Sequence, residues 1–383
     1  MSRQEGSLFA LSLVPQTDYN TPLAPSSAPK NYEQISKVGY DKAKFTTSPV
    51  TNEGMSTGTA YPTKSFPSVH DVEQSFEERA TFENIGRRLL ALLGGYTVST
   101  VAPGVFKHTF APLNPLLLVD LPSYSYVEKI GEPVLDTDII HDLLYPGFKC
   151  ESGTIANPSS AENGAFLMAT TQWRGSGKQL GSPVASGTGS GINFLKTAVH
   201  VEDDATRTEN YLKSTSGIVG LFPSASFGGT VQVLGCDFRG FNFSHNNNFL
   251  SGQGYQGCGK FQIEGNADSG AVRGSLPIGK PSTDISFSAL IAKTIAQDFN
   301  PLKRLRAQDT FSLRLDWAGA LIAGAVFRSL TFKAPKLTVK DVGMSADDTL
   351  DKYDISAATL AAGNVLPFSW ELVNNIPNYT TLV

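Results

Sequence analysis

The clearest pattern in the chain is a strict alternation of apolar and polar residues toward its C-terminal end. In the segment FSLRLDW, residues 311–317, large apolar side chains occupy every second position, and Ser312, Arg314 and Asp316 stand between them. A period of two is that of a β-strand with one buried face. Small residues follow in AGALIAG, and the alternation resumes in residues 326–342. The pattern predicts a long β-hairpin.

Shorter alternating runs predict further strands. Residues 231–243 alternate between Val or Phe and polar residues, with a slip at Gly240 that indicates a β-bulge. Residues 105–110 and 123–127 have the same period, and a proline-rich loop separates them. With 36 Gly and 22 Pro in the chain, these runs predict a mainly β fold, a β-sandwich or barrel with long hairpin or loop extensions.

One segment, residues 75–93, has helical spacing. Ser75 and Glu78 have the spacing of a capping box, in which each side chain bonds a free backbone N–H of the first turn. Four apolar side chains then share one face: Phe82, Ile85, Leu89 and Leu92. A Gly-Gly pair follows at 94–95 and can supply a left-handed stop. We therefore expect one α-helix over 75–93 that flanks the β-structure.

Residues 1–70 are rich in Pro, Ser and Thr. Seven prolines lie at positions 15, 22, 25, 29, 49, 62 and 67. Each fixes φ and removes a backbone donor, which disfavours long helices and central strands. We expect an extended N-terminal arm that becomes ordered only against another surface.

The chain of 383 residues is weakly acidic, with a formal net charge of −4, which argues against tight nucleic-acid binding. The charge is unevenly distributed. Residues 300–340 contain eight basic and two acidic residues, a net charge of +6, and residues 341–383 contain six acidic residues and one basic residue, a net charge of −5. Two interpretations are open: both segments form solvated faces, or one segment docks on the other, within the chain or across a subunit boundary.

The number of cysteines and the length of the apolar runs indicate in which cellular compartment the protein is expected. Three cysteines, Cys150, Cys236 and Cys258, are too few for a disulfide framework and are typical of a reducing cytoplasm. The N-terminus lacks the basic and apolar regions of a signal peptide. No run approaches the ~18 apolar residues of a membrane span. We expect no membrane insertion by this chain.

Two glycine motifs are incomplete as ligand sites. Gly177-Lys178 resembles the end of a phosphate-binding loop, but Gln172 and Gln179 stand where that loop requires Gly and Ser or Thr. GQGYQG, residues 252–257, matches a dinucleotide-binding turn, but the residues after it predict a strand instead of the required helix. Both segments are better interpreted as loops or turns.

Metal and nucleophile signatures are also incomplete. Cys236, His245 and Cys258 do not have the spacing of a zinc site. The acidic cluster at 202–204 fits a solvated loop better than a cation site, and no Ser or Cys lies in a nucleophile motif. His108 is interpreted as a polar position on an alternating strand. We predict no catalytic residue, no metal site and no cofactor, in a protein that is not an enzyme.

The order of these segments resembles that of bacteriophage tail tube proteins, also called major tail proteins. The resemblance covers roughly residues 70–380, and the long N-terminal arm and residues 196–230 are additions to the pattern. It rests on short segments in this order: FENIGRRLLALLGG, VAPGVFKHTFAPLN, LPSYSYVEKIG, LLYPGFKCESGTIANP, GCDFRGFNFSHNNNFL, FSLRLDWAGALIAGAVFRSLTFKAPKLTV and FSWELVNN.

The resemblance implies a tail-tube β-domain over residues 71–340 and an acidic C-terminal extension, residues 341–383, with a closing strand. It implies a structural protein of the virion, assembled in the host cytoplasm, whose subunits form stacked rings, commonly hexameric. Double-stranded DNA would pass through the channel without specific binding. The partners would be further copies of the chain and other tail proteins: tape measure, terminator, and baseplate or distal tail proteins.

Other classes of protein were weighed against this one. One alternative is another β-rich virion module, such as a tail terminator, decoration or fibre-base protein. An enzyme of unfamiliar type would need two carboxylates beside an aromatic cleft, which the sequence does not identify. Under the tail-tube interpretation, we expect the hairpin at 305–333 to join the inner barrel of the ring. We also expect the basic side chains of 300–340 to face neighbouring subunits instead of the channel.

Overall fold

The structure is a computed structural model of the 383-residue chain. Strands dominate the residues that it describes, together with two α-helices, α1 (Asn84–Leu93) and α2 (Pro301–Ala307). The predicted mainly β fold is confirmed. The described residues are 7–24, 31–35, 44–51, 65–113, 120–130, 141–157, 166–178, 198–199, 211–212, 217–229, 232–233, 238–250, 260–263, 266–292, 300–346, 350–360 and 366–381.

In the part of the chain that the structure describes, twenty strands are hydrogen-bonded into one large sheet. The pairings are antiparallel apart from two short parallel ones, between the second and tenth strands and between the fourth and fifteenth. In chain order the strands are β1 (Ser7–Ser12), β2 (Tyr32–Gln34), β3 (Lys44–Thr51), β4 (Ser65–Arg79), β5 (Gly94–Ala102), β6 (Val105–Pro112), β7 (Tyr124–Ile130), β8 (His141–Asn157), β9 (Met168–Arg174), β10 (Ala198–Val199), β11 (Gly217–Phe222), β12 (Gln232–Val233), β13 (Phe238–Asn246), β14 (Lys260–Ile263), β15 (Asn266–Val272), β16 (Ser282–Ala292), β17 (Thr310–Ala323), β18 (Val326–Ala346), β19 (Leu350–Thr359) and β20 (Ser369–Asn374).

The predicted long hairpin is confirmed as β17 and β18, which pair from Thr310↔Thr338 to Ala323↔Val326. Its apolar positions are buried as the alternation predicts: Phe311, Leu313, Leu315 and Trp317. The chain reverses at Gly324, whose φ of +56° is a conformation that residues with a side chain rarely adopt. The predicted bulge near Gly240 is also confirmed, because the register of β13 against β16 shifts between Phe238 and Gly240.

Strand β18 connects two parts of the sheet. Its first half lies between β17 and β20, and β20 continues to β6 and β5. Its second half pairs with β19, which continues through β16, β13, β8 and β9 to β4. One strand therefore belongs to both parts.

Aromatic side chains from the two parts meet in the core. The ring centroid of Phe243 on β13 lies 5.6 Å from that of Phe332 on β18 and 5.5 Å from that of Trp370 on β20. None of the described pairings joins β13 to β18 or β20, so these contacts connect strands that are not neighbours in the sheet. Fully burying a side chain as large as Phe contributes about 1.5–3 kcal/mol.

The prediction of a helix over 75–93 is wrong in its first half. Residues up to Arg79 belong to β4, which pairs with β9 from Glu73↔Arg174 to Arg79↔Met168. Five described residues of β4 are buried in alternation, His70, Val72, Gln74, Phe76 and Glu78, and three of them are polar. Because some of the buried positions are polar, the distribution of apolar residues alone did not reveal the strand periodicity of this segment.

The helix begins with a reciprocal cap a few residues further on. The Thr81 N–H donates to Oδ1 of Asn84 at 2.8 Å, and the Asn84 N–H donates to Oγ1 of Thr81 at 3.0 Å. Thr81 and Asn84 thus make the reciprocal bonds that the sequence predicted for Ser75 and Glu78. The bonds satisfy backbone N–H groups that have no partner within the helix.

Helix α1 packs against β5, β6, β8 and β9. Nine of its ten residues are buried, as expected of a helix that is surrounded by packed elements. A Cβ atom at Gly86 would lie 2.4 Å from Cζ of Tyr379. Glycine is therefore required where the C-terminal tail crosses the helix.

Part of the N-terminal arm belongs to the sheet. Strand β1 lies between β2 and β7, and Phe9 and Leu11 are buried in the main core. The expectation that this segment lacks central strands is wrong here, because β1 precedes Pro15, the first proline of the chain. The surface that orders β1 is provided by the same chain.

Candidate functional site

His108 lies on β6 with its side chain on the buried face of the strand. The imidazole is fully buried, as are the side chains of Phe110 on the same strand and Leu372 on β20. The strand assignment from the sequence is confirmed. Because the ring is fully buried, a substrate in solution cannot reach it.

Both ring nitrogens of His108 have partners. Nε2 lies 3.0 Å from Oδ1 of Asn374, and Nδ1 lies 2.9 Å from the hydroxyl of Tyr96. An amide oxygen only accepts, so Nε2 donates to Asn374 and Nδ1 accepts from Tyr96. Burial lowers the pKa of His108, although its hydrogen bond to Asn374 acts in the opposite direction. The imidazole is therefore neutral at pH 7.

The same cluster fastens the C-terminal tail. Nδ2 of Asn374 donates to the carbonyl of Phe82 and to the hydroxyl of Tyr379, both at 2.7 Å. The Tyr379 N–H donates to the Tyr96 hydroxyl at 3.3 Å. Strands β5, β6 and β20, the start of α1 and the tail are thereby joined around one buried histidine. This arrangement holds elements together and presents no exposed reactive group at His108.

The other candidate ligands do not converge in the part of the chain that the structure describes, where no group of three or more His, Cys, Asp or Glu could hold a metal ion. His70, His245 and Cys150 are each buried. Burial raises the pKa of the Cys150 thiol, which disfavours the reactive thiolate. Cys236 and Cys258 lie outside the described residues.

Of the two glycine motifs, the structure describes Gly177-Lys178 and not GQGYQG. Gly177 packs against β4, where a Cβ atom would lie 2.3 Å from the carbonyl oxygen of His70. Residues 179–197, the turn GQGYQG and the acidic cluster Glu202-Asp203-Asp204 lie outside the described residues. The strand predicted after GQGYQG is confirmed as β14.

The basic and acidic segments dock on each other within the chain. The basic strand β18 pairs with both β19 and β20 of the acidic segment. Glu371 accepts at Oε1 from Nζ of Lys333 at 2.7 Å, and its Oε2 lies 3.0 Å from Nζ of Lys107. Burial alone would raise the pKa of Glu371, but the two lysines outweigh it and lower the pKa. Strands of the two segments therefore pair within the chain, while Arg306, Arg314 and Asp341 lie exposed to solvent, so each interpretation holds for part of the charged residues.

An open groove of about 550 Å³ lies on one face of the second part of the sheet. Residues of β8, β13, β16, β18 and β19 line it. Most of these are small or polar, including Asn157, Asn242, Ser286, Ser288, Asp341 and Asp354, and none of the described lining residues is Lys or Arg. A phosphate group would therefore find no basic partner in this groove.

Exposed apolar side chains lie at the tip of the β17–β18 hairpin. Leu321 and Phe327 are opposite each other in the register and are 53% and 54% exposed. On β5, Val98 and Val101 are 40% and 49% exposed. Single exposed apolar residues are ordinary, but groups of them mark surfaces that other proteins cover.

The strand register places this apolar group at one end of the sheet. Cross-strand partners in β5, β6, β20, β18 and β17 form one row across the sheet: Ser99, Lys107, Val373, Ser329 and Ala318. Val101 and Phe327 each lie two residues beyond that row, and Leu321 pairs with Phe327. The hairpin tip and the end of β5 therefore point in the same direction along the strands.

Sequence reasoning missed a buried ion pair between α1 and β4. Nε and Nη2 of Arg88 donate to the two carboxylate oxygens of Glu78 at 2.6 and 3.0 Å, and both side chains are almost fully buried. Burial alone would lower the pKa of Arg88, but the Glu78 carboxylate raises it. No spacing rule could have paired these residues, because they lie on a strand and a helix that meet only in the tertiary structure.

Comparison with known protein families and curated proteins found no match. No family model matches the chain, and no curated protein matches its sequence. Among the described residues, none of the helices combines the length and apolar character that crossing a membrane requires.

Proposed function

We propose that this chain is the tube-forming subunit of a bacteriophage tail. Its copies assemble into rings, and the rings stack around a channel for viral DNA. The proposal rests on the resemblance in segment order to tail tube proteins. The structural observation that supports it best is the long hairpin β17–β18, which exposes Leu321 and Phe327 at its tip. Such a tip fits a surface that another subunit covers.

We infer that the sheet folds over itself as a sandwich within each subunit. The contacts of Phe243 with Phe332 and Trp370 support this inference, since they connect strands that are not neighbours in the sheet. A sandwich leaves the outer faces and edges of the sheet for contacts with other subunits. When such edges pair between subunits around a ring, the unpaired N–H and C=O groups of the edge strands are no longer exposed to solvent.

The charge distribution suits a passage that does not retain DNA. Phosphate contacts with Lys and Arg dominate the affinity of proteins for DNA. Lys333 is paired with Glu371, Lys340 lies 2.6 Å from Asp284, and the polar groove has no basic lining residue among those described. In the proposed ring, the hairpin β17–β18 contributes to the inner barrel, and its remaining basic side chains, such as the half-exposed Arg314, face neighbouring subunits.

The proposed setting is the virion. The chain would be assembled in the host cytoplasm and would contact other tail proteins at the ends of the tube, namely tape measure, terminator, and baseplate or distal tail proteins. The structural role requires neither turnover nor a bound cofactor. Double-stranded DNA is a transient occupant of the channel.

Electron microscopy of the purified full-length chain tests the proposal. Rings or tubes are expected, and their mass is measured by light scattering coupled to size-exclusion chromatography. The double variant Leu321→Ser/Phe327→Ser should reduce assembly, while Leu366→Ser, at a site that is 46% exposed, serves as the matched control. A chain that stays monomeric at high concentration would overturn the proposal.

A further inference from the structure

Strand β5 forms a free edge of the sheet. In the described part of the chain it pairs only with β6. Residues 97–101 are exposed at every position, so neither face of this part of the strand is covered. The strand is nonetheless regular, with its residues in register against β6 from Gly94 to Thr100.

The direction of the free backbone groups follows from the register. Gly94 faces Pro112, which has no N–H, and the Leu113 N–H donates to the carbonyl of Leu93. Hydrogen-bonded and non-hydrogen-bonded pairs alternate in an antiparallel ladder. Thr97 and Ser99 therefore bond to β6, and the N–H and C=O groups of Val98 and Thr100 point away from it.

These outward groups have no partner among the described residues. No backbone or side-chain hydrogen bond to Val98 or Thr100 accompanies the β5–β6 ladder. Val98 and Thr100 are separated by one residue, as outward-pointing residues of a strand are. Together they present two backbone donors and two backbone acceptors. An incoming extended segment could bond all four.

The sequence of the edge has neither the charge nor the proline that often keeps a free edge from pairing. Residues 97–101 read Thr-Val-Ser-Thr-Val. Four of the five are β-branched, and none is charged or proline, whereas exposed edges of natural sheets are usually protected by Lys, Pro, bulges or short length. The only irregularity is a register shift between Thr100 and Ala102 at the end of the strand.

We propose that β5 is an assembly edge that pairs with an extended strand of a second copy of this chain. This inference rests on the proposed function for the identity of the partner. The observation that favours a second copy is the position of β5 in the apolar group at one end of the sheet. A second copy that adds a strand beside Val98 and Thr100 would lie next to Val101. Phe327 and Leu321 of the hairpin tip lie at the same end of the sheet.

The chain also has other edges that a neighbour could use. Strand β3, for example, pairs only with β4 among the described residues. Contact between two different edges is a head-to-tail contact, which repeats and closes into a ring when the rotation between copies allows it. The β5 edge would then be one half of the contact between neighbouring subunits.

Hydrogen exchange of the wild-type protein gives a test that does not depend on a variant. The backbone amides of Val98 and Thr100 should exchange at least about tenfold more slowly in the assembled protein than in dilute, dissociated protein. The amides of Thr97 and Ser99, which bond to β6, should be protected in both forms. Equal and rapid exchange of Val98 and Thr100 in the assembled protein would overturn the inference.

Two variants of the full-length chain address the edge directly. Thr100→Pro removes an outward N–H and places a ring where the partner strand would lie, and Val98→Lys adds the charge that free edges usually have. Each should raise the concentration needed for assembly by about tenfold or more. Leu366→Lys is the matched control, since it places the same charge at an equally exposed apolar site.

The outcomes separate this inference from the proposed function. If the wild type forms rings or tubes and both folded variants still form them at unchanged concentration, β5 is not the edge, although the tube proposal stands. If the wild type forms only small oligomers that the variants abolish, the β5 inference stands and the tube proposal fails. A wild-type chain that never self-associates overturns both.

Discussion

His108 and Asn374, which are 266 positions apart in the sequence, are joined by a hydrogen bond of 3.0 Å between Nε2 and Oδ1. Asn374 at the same time donates to the Phe82 carbonyl before α1 and to the Tyr379 hydroxyl of the tail. One amide side chain thus connects the end of β20, the middle of β6, the start of the helix and the C-terminal tail. The buried cluster is a structural element of the fold, and its loss should be visible in stability.

The variant Asn374→Ala should lower the free energy of unfolding by about 3 kcal/mol. It removes four hydrogen bonds and leaves Nε2 of the buried His108 without its partner. Urea denaturation measures the change. The neighbouring Asn375 is exposed, so Asn375→Ala is the control and should have an effect within about 0.5 kcal/mol of zero. Equal effects of the two substitutions would contradict the assigned role of Asn374.

The stability of the protein should fall as the pH decreases below 6.5. Burial lowers the pKa of His245 to about 4, while a histidine in the unfolded chain titrates near 6.5. Between these values the unfolded state binds more protons, so the free energy of unfolding decreases as the pH falls. The contribution of His245 reaches about 3 kcal/mol near pH 4. Burial lowers the pKa values of His70 and His108 in the same direction.

Urea denaturation at a series of pH values checks this dependence. The variant His245→Gln should have a shallower slope between pH 6.5 and 4 than the wild type. Asn242→Gln, at an exposed position of the same strand, should keep the wild-type slope. A wild-type stability that does not change over this interval would show that the buried histidines do not resist protonation.

The variant Arg88→Met should destabilise the protein by about 3–5 kcal/mol, because it leaves the carboxylate of Glu78 buried without its counter-ion. The double variant Arg88→Met/Glu78→Leu removes both charges and should recover most of the loss. Thermal or urea denaturation of the four forms completes a double-mutant cycle. A double variant that is as unstable as the sum of its two single variants would show that the two residues act independently.

The variant Arg314→Glu should disturb assembly more than folding. Arg314 is about half exposed, and its ion pair with Asp316 at 2.8 Å is a surface pair, which is worth at most about 1 kcal/mol. In the proposed ring, however, its charge faces a neighbouring subunit. The measurements are the unfolding midpoint and the assembly state by light scattering. Lys280→Glu, at an exposed position outside the basic segment, is the control, and normal tubes from Arg314→Glu would contradict the placement of the hairpin in the ring contact.

The sequence predicted the elements whose apolar pattern is local. The alternation in residues 311–317 fixed the strand β17 and its buried face, and the slip at Gly240 gave the bulge in β13. In both cases the buried residues are large and apolar, so burial and hydrophobicity coincide. The opposite charges of the two C-terminal segments made contact between them possible. In the structure, β18 and β20 pair, and Lys333 forms an ion pair with Glu371.

The predictions were wrong where the local pattern does not show what a segment packs against. Glu78 was assigned to a helix cap, although it is an inward-facing residue of β4 that Arg88 neutralises. The arm was predicted from its prolines, although β1 precedes them and joins the sheet between β2 and β7.

By itself, the sequence determined the mainly β character of the protein, its long hairpin and the helical face that ends at Leu93. Only the tertiary structure decided which polar residues are buried, which strands α1 packs against, and that the edge of β5 is left open. The physical reason is that the local period of a segment reports burial against an apolar environment. A buried ion pair, the His108 cluster and a free strand edge depend on which groups the tertiary structure brings together or leaves apart. This holds for Glu78 and Arg88, 10 positions apart, as well as for His108 and Asn374, 266 positions apart.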